Sequence, residues 1–137
     1  MRFTVDIDPI GKARPRFTKT GHAYTPQKTK DAEELIAAAY RATSGGCIPK
    51  GVPVELGVTA HFPIPKSFSQ KKRDAVLDSE ILPTKKPDAD NILKLVADAL
   101  SGVAYEDDAQ VVRMEVLKEY TALDDGYIEI EIFGGEP

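Results

Sequence analysis

The stretch DADNILKLVADAL, Asp88–Leu100, constrains the fold more than any other part of the chain. Ile92, Leu95, Val96, Ala99 and Leu100 recur at helical spacing, so they share one face of a helix over about Ala89–Leu100. That face needs an apolar partner, and alternating segments on both sides supply it. A strand is predicted over about Arg2–Asp8, with Phe3, Val5 and Ile7 on one side. Another spans about Val52–Phe62, with Val54, Leu56, Val58 and Ala60 inward, and is stopped by Pro63 and Pro65. QVVRMEVLKEY and GYIEIEIF read as two further strands, with TALDDG between them as a hairpin-like turn. Thr25 as cap and Pro26 as first helical residue predict a helix through KDAEELIAAAYRA. Its core face is Leu35, Ile36, Ala39 and Tyr40, and SGG ends it. A short helix capped by Ser67 is predicted in SFSQKKRDAVL, whereas PIGKARPRFTKTGHAYTP and DSEILPTKKP read as loops. The expected fold class is α/β (α+β). A mixed sheet of about four strands is covered by two to three helices in a single domain.

At 137 residues the chain can bury a core without disulfides or a structural metal. Cys47 is the only cysteine, which excludes an intrachain disulfide and a cysteine-based zinc site. No run approaches the roughly 20 apolar residues of a membrane span, and the start lacks the apolar block of a signal peptide. The expectation is a cytoplasmic protein with no membrane partner. The formal net charge of -4 argues against nucleic acid only until its distribution is considered. Lys12, Arg14, Arg16, Lys19, Lys28 and Lys30 occur in a segment with no acid, beside Phe17 and Tyr24, while acids gather from Glu106 onward. Such segregation suits either a solvated loop or a phosphate-binding face, which Lys85 and Lys86 would extend.

Carboxylates gather in two places. Asp88 and Asp90 begin the helix, and Asp107 and Asp108 precede a strand. Aspartate is a good helix cap and a common turn residue. Only one of two neighbours can cap, however, and a bound Mg²⁺ would relieve the repulsion between them. Lys94 lies one turn after Asp90 and one before Asp98. It is either an ordinary i,i+4 ion-pair partner or a cation placed to neutralise charge on a leaving oxygen. Other chemistries have little support, because no motif surrounds a serine or Cys47, His22 and His61 are isolated, and no phosphate-binding P-loop is present.

DADNILKLVADAL followed by EDDAQV resembles the signature of the RusA family of Holliday junction resolvases, small Mg²⁺-dependent endonucleases of bacteria and their prophages. The shared pattern is Asp-x-Asp-Asn at a helix start, a lysine four residues after the second aspartate, Asp-Ala-Leu at the helix end, and Asp-Asp-x-Gln-Val leading into a strand. RPRFTKTGHAYTP and KTKDAEE are similar to the phage-type members, while the middle from Cys47 to Thr84 carries little of the likeness. Some members place an arginine-rich run before the first aspartate, where this chain has TKKP. The resemblance implies a catalytic set of Asp88, Asp90, Lys94 and Asp108, with the three aspartates binding Mg²⁺, or Mn²⁺ in its place. Asn91, Asp98 and Asp107 support them. It further implies paired nicking of a four-way DNA junction in recombination and repair by a homodimer. Two alternatives stand beside this reading: a junction-binding module without catalysis, and a Mg²⁺-dependent nucleotide or RNA phosphohydrolase.

Overall fold

The structure, a computed structural model, describes residues 1–13 and 16–135. The strands are β1 (Arg2–Val5), β2 (Arg16–Phe17), β3 (Ala23–Tyr24), β4 (Val54–Pro63), β5 (Val111–Thr121) and β6 (Tyr127–Gly134). The helices are α1 (Gln27–Arg41), α2 (Gln70–Leu77) and α3 (Ala89–Leu100), and a single 3-10 turn covers Asp108–Gln110. Four strands form a mixed sheet in the order β1-β6-β4-β5, in which β4 and β5 are parallel and the other pairs antiparallel. The parallel pair requires a crossover, and α2 and α3 lie in it.

Register explains the core. Val58 pairs with Val116 on one side and Ile130 on the other, so alternate residues of neighbouring strands share a face. Val54, Leu56, Val58, Ala60 and Phe62 of β4 join Ile128, Ile130 and Ile132 of β6 and Phe3 and Val5 of β1, all buried. Helix α1 packs on β1 and α3, and α3 packs on β4 and β5. The predicted stripe of α3 is the centre of this layer, with Ile92, Leu95, Val96 and Leu100 fully buried. Among the described residues no helix is long and apolar enough to cross a membrane.

Several boundaries differ from expectation. β1 ends at Val5, where the Ile7 amide turns back to the Val5 carbonyl at 2.9 Å and leaves the ladder. α1 starts at Gln27 with Pro26, not Thr25, in the cap position, and Leu35 is exposed while Ala32, Ile36, Ala37 and Tyr40 are buried. β4 includes Pro63, and α2 is capped by Ser69, whose hydroxyl accepts from the Lys72 amide at 3.2 Å, not by Ser67. The basic loop carries the small hairpin β2–β3, too short to show a period.

The larger correction concerns the end of the chain. β5 and β6 form no hairpin, because β4 lies between them. Their connection crosses the end of β4, and the crossing is tight. A Cβ at Gly126 would meet the His61 carbonyl oxygen at 2.6 Å and Asp8 Oδ1 at 2.9 Å. The Gly126 amide donates to that same Asp8 oxygen at 2.8 Å. Gly126→Ala is therefore expected to cost about 1–3 kcal/mol in urea denaturation, as overpacking does. Gly57→Ala, whose added Cβ meets nothing closer than 3.7 Å, is expected to be neutral or stabilising by the same measurement.

Candidate active site

Helix α3 buries its apolar stripe, which turns Asp90, Lys94 and Asp98 outward along the other side. Asp88 occupies the cap position in extended backbone, yet its carboxylate makes no capping bond. The helix start is held instead by the loop after β1. The Lys12 amide donates to the Asn91 carbonyl at 2.9 Å, and a Cβ on Gly11 would meet the Asn91 Cβ at 2.8 Å. Asn91 thus supports the helix start through its backbone and its close packing.

The second acidic pair divides its roles. Asp107 is a true cap: its carboxylate accepts from the Ala109 amide at 3.0 Å, and Gln110 Oε1 accepts from the Asp107 amide at 2.9 Å. Gln110 is buried, and its Nε2 donates to the carbonyls of Pro49 at 2.7 Å and Val52 at 3.0 Å. Asp108 follows with its carboxylate uncommitted. Among the described residues, no hydrogen bond or ion pair engages the side chains of Asp88, Asp90 or Asp108.

Asp90, Lys94, Asp98 and Asp108 line one cavity of about 310 Å³, whose apolar wall includes Leu93 and Met114. Asp90 and Asp98 stand about 12 Å apart along the helix axis, from its rise of roughly 1.5 Å per residue. Burial raises the pKa of the Tyr105 phenol most, and the carboxylates of Asp108 and Asp98 raise it further. Its hydroxyl donates to the Ala97 carbonyl at 2.7 Å. Asp88 opens on the other side of the helix start, into a groove of about 470 Å³ with Lys12, Arg16, Lys28 and Lys86.

Asp98 is more than a spacer inside the helix. Its Oδ2 lies 3.2 Å from Lys12 Nζ and 3.5 Å from Lys94 Nζ, and Lys12 also pairs with Glu33 of α1. Burial opposes the charge on Lys12, but the hydrogen bonds and fields of Glu33 and Asp98 outweigh it and hold its pKa above the ordinary lysine value. Lys94 is different, with its side chain 63% exposed and free to leave Asp98.

Of the predicted basic contacts, Arg16, Lys28 and Lys86 converge on the groove with Lys12, whose ammonium is already engaged. Lys19 and Lys30 are exposed outside it, and Lys85 lies over the Phe62 ring at 5.7 Å. Arg14 falls outside the described residues. Sequence reasoning missed Gln110, although Asp-x-x-Gln is a capping-box spacing. It also missed Glu33, for which the sequence holds no signal.

The uncommitted donors are all carboxylate oxygens, the type that Mg²⁺ and Mn²⁺ prefer. Mg²⁺ commonly takes one or two carboxylates and completes its shell with water and phosphate, which Asp88 and Asp90 at one helix start suit. Among the described residues no group of three or more His, Cys, Asp or Glu side chains converges to hold a metal ion.

The family model for Endodeoxyribonuclease RusA matches residues 6–133. The chain belongs to the RusA endodeoxyribonuclease family. It is also 36% identical over 126 residues to the uncharacterized protein YqaN of Bacillus subtilis (strain 168), with 88% of each chain covered. Membership of the RusA family implies a DNA endonuclease, and the expected mixed α+β fold is the one observed.

The two lysines on Asp98 separate structure from chemistry. Lys12→Met is expected to destabilise the fold by about 1–3 kcal/mol, because two partly buried carboxylates lose their cation. Lys94→Met is expected to change it by less than about 0.5 kcal/mol. The Lys12 contribution is full below the ordinary lysine pKa of 10.5 and is lost as pH rises through the higher folded value. Urea denaturation at pH 7 and above pH ~10.5 checks both statements.

Proposed function

We propose that this chain is a Mg²⁺-dependent, structure-selective endonuclease that resolves four-way Holliday junctions by paired nicking, acting as a homodimer in recombination and repair. The observation that carries the reading is a set of three carboxylates with no protein partner among the described residues, Asp88, Asp90 and Asp108, beside a groove lined by Arg16, Lys28 and Lys86. A fold that needed these acids only as caps would use them as it uses Asp107.

Phosphodiester hydrolysis joins a water oxygen to phosphorus and breaks the bond to the 3′ oxygen. Asp88, Asp90 and Asp108 are the residues that would hold the cation. When bound, Mg²⁺ supplies an acidified water and neutralises non-bridging oxygens. Lys94 has the reach and the exposure to leave Asp98 and place its ammonium against the negative charge on the departing oxygen. The groove holds flanking phosphates, which gives affinity and orientation without reading bases. The symmetry of a four-way junction matches a two-fold dimer, since two strands of like polarity must be cut.

The absence of a converged three-acid cluster among the described residues favours one competing reading, a junction-binding module without catalysis. Incubation with a synthetic four-way junction, with and without Mg²⁺, separates the two. Wild-type protein is expected to cleave only with the metal, and Asp88→Asn, Asp90→Asn and Asp108→Asn each to lose at least about a hundredfold in rate while still binding. Binding without cleavage by the wild type supports the module. Cleavage confined to RNA or mononucleotides would instead indicate a phosphohydrolase.

Replacing Arg16, Lys28 and Lys86 together with alanine is expected to lower junction affinity. It should also flatten the slope of log affinity against log salt by up to about 3, near 0.9 for each phosphate that is no longer neutralised. An unchanged slope would place the DNA elsewhere on the surface.

A further inference from the structure

Among the described residues, α1 is the one helix whose start has neither a capping side chain nor an acid in its first turn. Pro26 holds its cap position and has no side chain to offer. The Pro26 carbonyl accepts from the amides of Thr29 at 3.1 Å and Lys30 at 3.2 Å, which leaves the amides of Gln27 and Lys28 without a partner among the described residues. The Gln27 side chain does not fold back to help, because its Nε2 donates along the helix to Asp31 Oδ1 at 2.8 Å. The positive end of the α1 dipole is thus unmatched, and Pro26, Lys28 and Thr29 turn it towards the groove that also holds Asp88. Thr29 is a separate observation. It is 2% exposed, the most deeply buried polar residue described, and the little surface it keeps lines that groove. Its hydroxyl makes no hydrogen bond among the described residues, although buried hydroxyls are ordinarily paired.

We infer that the first turn of α1 is a subsite for one particular phosphate of the DNA strand, held by the Thr29 hydroxyl and the free Lys28 amide. The inference rests on the reading that DNA occupies the groove, and adds to it the device that selects a phosphate. A phosphate offers acceptors only, and both groups can donate to it, at the helix end where an anion is most favoured. Arg16, Lys28 and Lys86 add cations that no carboxylate engages among the described residues, and Asp88 is the sole acid lining the groove. These long side chains can follow any phosphate that passes. A backbone amide and a buried hydroxyl cannot move with it, so they fix the strand at one register. The groove, at about 470 Å³, is larger than a lone phosphate ion fills, which suits a phosphate that belongs to a strand. With Asp88 on the same groove, the phosphate held by α1 is a neighbour of the one that is cut. Thr29 is then a positioning residue: it touches a flanking phosphate and not the bond that breaks.

Thr29→Val keeps the shape of the side chain and removes only the hydroxyl, and Thr29→Ser keeps the hydroxyl. Because that hydroxyl has no partner in the fold, Thr29→Val is expected to unfold at no lower a urea concentration than the wild type. Four-way junctions are then made with one neutral methylphosphonate replacing one phosphate near the branch point, each position in turn. Binding is measured without Mg²⁺, so the scan decides the subsite even for a chain that does not cut. At one position the wild type is expected to lose about tenfold in affinity, as for a hydrogen bond to a charged group. Thr29→Val is expected to lose about as much on the unmodified junction and to be indifferent to the substitution at that position alone, while Thr29→Ser restores the wild-type pattern. A wild type that does not bind the junction overturns the DNA reading and the subsite together. A wild type that binds, with Thr29→Val equally sensitive at every position, overturns the subsite alone. So does a Thr29→Val variant that unfolds at clearly lower urea, since the hydroxyl would then serve the fold. Inorganic phosphate that protects the wild type from urea more than Thr29→Val, with no position-specific loss on DNA, would make this a site for the free anion and overturn the strand-positioning role.

Discussion

The burial of one side of α3 against β4 and β5 determines most of what the molecule presents to solvent. Four side chains of that helix are fully removed from water. At roughly 2 kcal/mol each they are worth far more than the electrostatic preferences of the exposed side. Rotating the helix to relieve a charge conflict would forfeit that burial. The acids and the lysine on its outer surface are consequently held where the core puts them, including positions that electrostatics alone would not select.

Charge is managed by separating two duties. Lys12 is committed to the interior, where it neutralises Glu33 of α1 and Asp98 of α3 and so joins the two helices electrostatically. Lys94 touches the same Asp98 from the solvent side and keeps its mobility. A single carboxylate thus serves as anchor for one cation and resting place for another. On the opposite face of the sheet His61 shows a less balanced arrangement. It stacks on Tyr127 with Glu119 and Glu129 at 3.3 and 3.5 Å from its two nitrogens, and its Nε2 lacks a hydrogen-bonded partner among the described residues. No step of the chemistry requires this group.

The legibility of the sequence varied with the range of the interaction that decided each feature. The bounds of α3 and its buried positions follow from spacing within one helix, and the structure reproduces both. The pairing of β5 and β6 does not, because TALDDG has the composition of a hairpin turn. What prevents the hairpin is β4, a strand from much earlier in the chain, entering between the two. Leu35 failed for a related reason: its helix has the right period, but the sheet covers the side carrying Ala32 and Ile36 instead. At the site, the ambiguity between Asp107 and Asp108 depended on where the Gln110 amide finds acceptors, and these belong to a distant loop. The engagement of Lys12, taken from sequence as an exposed phosphate contact, likewise depends on Glu33 and Asp98 arriving from two helices.

Gln110 gives that turn an unusual mechanical character. Its amide nitrogen ties the backbone ahead of β5 to the carbonyls of Pro49 and Val52, while its oxygen holds the Asp107 amide. A turn with exposed acids on both sides would ordinarily sample many shapes, and any ligand would have to freeze one of them. Here the backbone under Asp108 loses that freedom when the chain folds, at a cost of about 1–2 kcal/mol per residue that is already met before any ligand arrives. The entropic barrier to engaging Asp108 is then confined to the torsions of its own side chain.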